Sequence, residues 1–166
     1  MTTTHAVASS PLGDLTLVAD GGCLAGLYFR HHWYRPDPAG FGVRAEAGFS
    51  EAARQLDEYF AGTRQSFALP VKARGNEFQR RVWDLVRRIP YGETASYQEL
   101  ARELGEGVLA KDVGAAIGRN PLCVIVPCHR VVGKDGRLTG YAGGLQRKRF
   151  LLDLERRHAR TAAMLF

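Results

Sequence analysis

Residues 96–121 read SYQELARELGEGVLAKDVGAAIGRNP. Ser96 to Glu99 has the S-x-x-E form of a capping box, which predicts a short helix with Leu100, Ala101 and Leu104 turned inward and Gly105 closing it. A second helix follows the glycine turn, with Val113, Ala116 and Ile117 on its buried side and Asn120 and Pro121 ending it. Two short helices joined through glycine predict a helix-turn-helix, the device that lays one helix against DNA. The second helix narrows this expectation. A reader of the major groove offers Arg, Asn or Gln to base edges, whereas this helix presents Ala110, Gly114, Ala115 and Gly118. So smooth a surface suits a narrow groove and close backbone approach, hence recognition of shape over sequence.

Outward from this unit the chain divides in two. On the N-terminal side, Asn76 is placed to cap a helix carrying Phe78, Val82, Leu85, Val86 and Ile89 at helical spacing, ended by Pro90 and Gly92. Before it, GTRQSFALPVKARGN (62–76) has little periodicity and reads as a connector. Earlier still, DLTLVAD (14–20) and CLAGLYF (23–29) flank Gly21 and Gly22 as two strands of a hairpin. SEAARQLDEYFAG (50–62) forms a helix with Ala53, Leu56, Tyr59 and Phe60 on one face. The expected class is α+β, with an N-terminal α/β domain and connector over 1–74 and a mainly helical domain over 75–166. The 166 residues, 45% of them hydrophobic, suffice to build such a core.

Charge follows the same division. The first 70 residues carry five arginines and no lysine against seven acids, while the remainder carries 18 basic residues against ten, leaving +6 overall. One-sided positive charge points to a polyanion, most simply nucleic acid. No apolar run spans a membrane and MTTTHAVASS is no secretory signal, so a cytoplasmic address is expected. Three cysteines without a C-x-x-C pair predict neither disulfides nor a thiol zinc site. Cys23 and Cys123 read as small core residues, and His5, His31, His32 and His158 as surface residues. No metal site, dinucleotide fingerprint or phosphate loop is visible, so no cofactor is expected.

PLCVIVPCHRVVG (121–133) is the remaining signal. PLCVIVP reads as a short buried strand, with Cys128 where the chain leaves it. A thiol of ordinary pKa is only slightly ionised at neutral pH, so a nucleophile needs a base or a positive neighbour. His129 and Arg130 are adjacent. In a regular strand residues 128 and 129 face opposite ways, so their cooperation requires a turn after Pro127 or a bridging water. Asp135, Asp153 or Glu155 can supply the carboxylate that orients the imidazole, and spacing leaves the three open.

FQRRVWDLVRRIPYGETASYQELA, VGAAIGRNP, VPCHRVVG and LTGYAGGLQRKRFLLDLE together resemble, in order and spacing, the O6-alkylguanine-DNA alkyltransferases, or methylated-DNA–protein-cysteine methyltransferases. The likeness covers residues 76–155 closely and the first 75 loosely. It implies an antiparallel sheet in the N-terminal domain, a winged helix-turn-helix that binds the minor groove, and repair of double-stranded DNA containing O6-alkylguanine by one irreversible transfer per molecule. The resemblance makes Cys128 the acceptor and His129 its base through a water. It implies likewise that Glu155 polarises His129, that Asn120 braces the turn, and that Tyr97 helps rotate the target nucleotide. By the same resemblance Tyr141, Ala142, Gly143 and Gly144 are expected to wall the base pocket, where backbone groups at Cys128, Val131 and Ala142 are expected to read guanine. The resemblance also implies that Gln98, Ala110, Lys111, Gly114 and Ala115 face DNA, with Lys111 standing where the family usually inserts arginine. A monomer with no membrane partner is expected, cooperative loading on DNA being the open alternative. The RRHARTAAMLF tail (156–166) reads as a frayed extension. Rival readings are a lesion-binding protein without transfer, a promoter-binding regulator and a cysteine hydrolase.

Overall fold

The computed structural model describes residues 2–164. Strands β1 (Thr3–Ala8), β2 (Leu15–Asp20) and β3 (Cys23–Phe29) form an antiparallel meander, and β4 (Val43–Arg44) adds to β1 in parallel, giving the order β3-β2-β1-β4. The β2–β3 turn runs through Gly21 and Gly22 at φ 58° and 85°, the left-handed conformation that favours glycine. Strand β1 was not expected: Thr and Ala give it little hydrophobic alternation, and its order comes from six-residue pairing with β2.

Helix α1 (Ser50–Ala61) shares one core with the sheet through Ala52, Leu56 and Tyr59. Its buried face includes Gln55, with Ala53 and Phe60 only half-buried, because the Gln55 amide pairs with both backbone groups of Ala68 at 2.9 and 3.1 Å. Helix α2 (Glu77–Val86) opens with a reciprocal box between Asn76 and Gln79 and stops one turn short of Pro90. Trp83, absent from the expected stripe, is fully buried and donates its indole N–H to Ala116 O at 2.9 Å.

Helices α3 (Tyr97–Leu104) and α4 (Ala110–Gly118) form the helix-turn-helix, capped by Ser96 and burying all six expected apolar residues. Strand β5 (Ala95–Ser96) pairs with β6 (Val131–Val132), tying the start of α3 to the chain beyond Cys128. Helix α5 (Leu145–Met164) closes the fold. The tail from Arg156 therefore continues a helix rather than fraying, while Leu165 and Phe166 lie outside the described residues. Among the described residues, no helix is long and apolar enough to cross a membrane.

The free edge of β3 joins the two halves. Leu24 exchanges backbone hydrogen bonds with Pro70 and Lys72, and Leu27 N–H donates to Pro121 O at 2.8 Å. The sheet therefore grips the segment that leads directly into Cys128.

Candidate active site

The expected strand 121–127 is a tight turn instead. Leu122, Cys123 and Val126 make only isolated bridges, with Val124 at φ 73° between them. A β-branched residue in the left-handed region is strained by about 1–3 kcal/mol and needs its surroundings to hold it. Asn120 does this from inside: its Oδ1 accepts from Leu122 N–H at 2.9 Å, and its Nδ2 donates to Val126 O at 3.0 Å and to Cys128 Sγ at 3.2 Å. The buried Asn120 thus fastens the turn and touches the thiol.

After Pro127 the chain enters a 3-10 turn, Cys128–Arg130, in which all three side chains are buried. This is the turn that cooperation between Cys128 and His129 requires. It sends His129 and Arg130 together onto Glu155 of α5. Glu155 accepts from His129 Nε2 at 2.6 Å, Tyr59 OH at 2.6 Å, Arg130 Nε at 2.8 Å and Nη2 at 3.0 Å, and Gly92 N–H at 3.3 Å. Of the three acids left open by spacing, Glu155 is the one that meets the imidazole; Asp135 and Asp153 are exposed.

The charges follow from these contacts. Burial pushes the Glu155 carboxyl up, but hydrogen bonds and charge from His129 and Arg130 outweigh it and hold the group well below the usual carboxylate range. Burial, only partly offset by Glu155, pushes His129 down and keeps it neutral. A carboxylate only accepts, so Nε2 carries the proton and Nδ1 carries the lone pair. No described protein atom donates to that Nδ1. Hydrogen bonding with Cys123, reinforced by Asn120 and the charge of Lys148, outweighs burial and lowers the Cys128 thiol.

Lys148 was missed by the sequence reading. It is fully buried on α5, donating to Val131 O at 2.5 Å, Gly140 O at 2.8 Å and Tyr97 OH at 3.5 Å. Burial pushes its ammonium down to about 8. It stands seven residues before Glu155 and shares that helix's buried side with Leu151, Leu152 and Leu154. Two charged residues at heptad spacing within an apolar face were the available signal.

A cleft of about 370 Å³ lies between α4 and the 139–142 loop, lined among others by Trp33, Tyr97, Lys111, Gly114, Tyr141 and Ala142. Ala110 lies on its wall, whereas Gln98 and Ala115 are exposed on the two helices beside it. Gly143 is buried, and a Cβ there would come within 2.5 Å of the Phe29 ring; Gly144 is exposed at φ 92°. The carbonyls of Val131 and Ala142 already accept from Lys148 and from Trp33 N–H, so each keeps one lone pair. Cys23 and His32 depart from expectation, the first half-exposed at a strand end and the second half-buried beside Cys123.

Two family models match this chain: the 6-O-methylguanine DNA methyltransferase ribonuclease-like domain over residues 4–73 and the DNA binding domain of the same protein over 77–157. The chain belongs to the 6-O-methylguanine DNA methyltransferase family. Among its relatives, the methylated-DNA–protein-cysteine methyltransferase of Mycolicibacterium paratuberculosis is 46% identical, with 98% of each chain covered. That of Methanosarcina acetivorans is 44% identical over 91% of this chain and 97% of the relative. The crystal structure of Mycobacterium tuberculosis OGT in complex with DNA superposes with a TM-score of 0.87 at 43% identity, covering 93% of this chain and 94% of that one. In this family member Cys128, His129 and Glu155 are all buried.

Proposed function

We propose that this methyltransferase repairs double-stranded DNA by moving the alkyl group of O6-alkylguanine onto Cys128. The observation that carries the reading is the buried Cys128, next in sequence to the His129–Glu155 pair and faced by Tyr97 and Tyr141, which line a cleft walled by the small residues of α4. The O6 atom is inside the duplex, so the nucleotide must leave the stack, and the cleft is of a size to receive a base. His129 Nδ1 takes the Cys128 proton through a water. The thiolate then attacks the alkyl carbon, a C–S bond forms, and the C–O6 bond breaks with its electron pair returning to guanine. Tyr97 supplies a hydroxyl to the departing base, and Lys148 lies on the Tyr97 oxygen. Lone pairs at the carbonyls of Val131 and Cys128, together with Ala142 N–H, read the guanine edge. Tyr141, Ala142, Gly143 and Gly144 wall the base on the loop side, while Gln98, Ala110, Gly114 and Ala115 lie against the phosphate backbone.

Water does not cleave the resulting thioether, so each molecule acts once. Intact-mass measurement with duplex containing one O6-methylguanine is expected to show one added methyl per protein, on the Cys128 peptide, at any excess of DNA. Repeated turnover, or an adduct elsewhere, overturns the assignment. The reading places the protein with DNA as a monomer and at a cytoplasmic address.

Lys111 is exposed in the first turn of α4 on the cleft rim. Its ammonium supplies charge to the gap left by an extruded base but lacks the planar fork that stacks there. Lys111→Arg is expected to speed repair of duplex several-fold while leaving reaction with free O6-benzylguanine unchanged. Single-turnover rates on both substrates check this, and equal acceleration of the two contradicts it.

A further inference from the structure

Cys123 is the second thiol of the site. Its Sγ lies 4.0 Å from Cys128 Sγ and 3.8 Å from His32 Nε2, and both cysteines are buried. The proton order along this line is fixed at its two ends. At one end, Phe29 N–H donates to His32 Nδ1 at 3.2 Å, so Nδ1 is the acceptor. Burial, together with Arg35 and Arg147, pushes His32 down to about 4, so the ring is neutral and its one proton sits on Nε2, facing Cys123. At the other end, Asn120 Oδ1 is taken by Leu122 N–H, so it is the Asn120 amide N–H that points at Cys128. Cys128 is an acceptor from one side and Cys123 from the other.

We infer that Cys123 is a positioning residue for the transfer reaction, its S–H donating to the Cys128 thiolate while His32 Nε2–H holds the Cys123 sulfur in place. A strand of the N-terminal sheet thereby reaches the nucleophile through Phe29 N–H, His32 and Cys123, on a line separate from His129 and Glu155. The titration directions agree: Cys123, through hydrogen bonding with Cys128 and through burial, is raised well above the ordinary thiol value, while Cys128 is lowered. Lys148 from α5, Tyr97 from α3 and Tyr141 from the loop also face this pair, the Tyr141 hydroxyl through a hydrogen bond to Cys123. The inference rests on the proposed acceptor role of Cys128 but not on any reaction with DNA.

The test is therefore read without DNA, by 13C NMR of protein labelled at cysteine Cβ. In the unaltered protein Cys128 is expected to ionise first and Cys123 several pH units later. In Cys123→Ala the Cys128 midpoint should rise by about one pH unit, a roughly tenfold smaller thiolate fraction below both midpoints. Cys123→Ser retains a donor and should recover most of the shift, and His32→Ala should raise the midpoint by less than Cys123→Ala does. An unmoved midpoint in Cys123→Ala, or a serine variant displaced as far as alanine, overturns the inference. Should the variants fail to fold, ionisation of Cys123 before Cys128 in the unaltered protein overturns it equally. Methyl transfer to duplex, followed against pH in the same proteins, should move with the NMR midpoint. Loss of transfer in the unaltered protein would instead indict the proposed function and leave the thiol pair standing.

Discussion

Serine in place of Cys128 is expected to lower methyl transfer on the order of 10⁴- to 10⁶-fold, the scale seen when a covalent nucleophile is removed from an otherwise intact site. The thiolate is the attacking species, and a hydroxyl in this setting stays protonated because neutral His129 is too weak a base to ionise it. Folding should survive. Serine is slightly smaller than cysteine, and Asn120 Nδ2, 3.2 Å from the sulfur, can donate to its oxygen, so stability should change by about 1 kcal/mol. DNA binding should survive too, since α3 and α4 do not depend on the thiol. Single-turnover transfer of a labelled methyl group, alongside thermal unfolding and lesion-duplex binding, checks all three. The demanding outcome concerns Cys123, whose sulfur lies 4.0 Å from that of Cys128. Transfer persisting in Cys128→Ser with the label on Cys123 would move the acceptor to the neighbouring thiol.

The helix-turn-helix was legible because its signals are local. A capping serine, glycine stops and apolar residues three and four apart act within one turn of chain, and all six expected core positions are buried. The turn carrying Cys128 was not legible. Leu122 to Val126 has the composition of a buried strand, and the Asn120 side chain, bonding at both ends of the loop, together with the Val126 N–H to Leu122 O bond closes it as a turn with Val124 in the left-handed region. His129 was visible by adjacency, while spacing left its orienting acid open among three and only the resemblance singled out Glu155, since the 26 residues between them are bridged by the tertiary fold. Tyr59 lies 96 residues from Glu155 and belongs to the other half of the chain, so no spacing argument reaches it. Lys148 was hidden for a different reason. A lysine in a helix reads by default as solvated, and only carbonyls brought in from Val131 and Gly140 make its burial tolerable.

Glu155→Gln carries the largest expected cost to stability, about 3–5 kcal/mol, because it leaves Arg130 buried without its counter-charge. Five donors from four residues converge on two carboxylate oxygens. A glutamine offers one oxygen, and its NH₂ would face donors from Arg130, His129, Tyr59 or Gly92 whichever way the amide turns. For a chain of this length the melting temperature should fall by about 6–20 °C. Transfer should fall about 10²- to 10⁴-fold as the imidazole loses the acceptor that fixes its tautomer. The pH dependence separates this ion pair from mere packing. Glu155 is depressed in the folded state, so its contribution is complete above the unfolded carboxyl value of about 4.3 and drains away as pH falls below it. His129 and His32 are depressed as well, so the unfolded chain protonates first and stability declines from about pH 6.5 downward. Unfolding followed from pH 7 to 3 should thus show both declines in the native protein. In Glu155→Gln the histidine decline should persist while the loss below about pH 4.3 flattens. Parallel curves for the two proteins would mean that Glu155 is held by shape alone and that its charge contributes nothing.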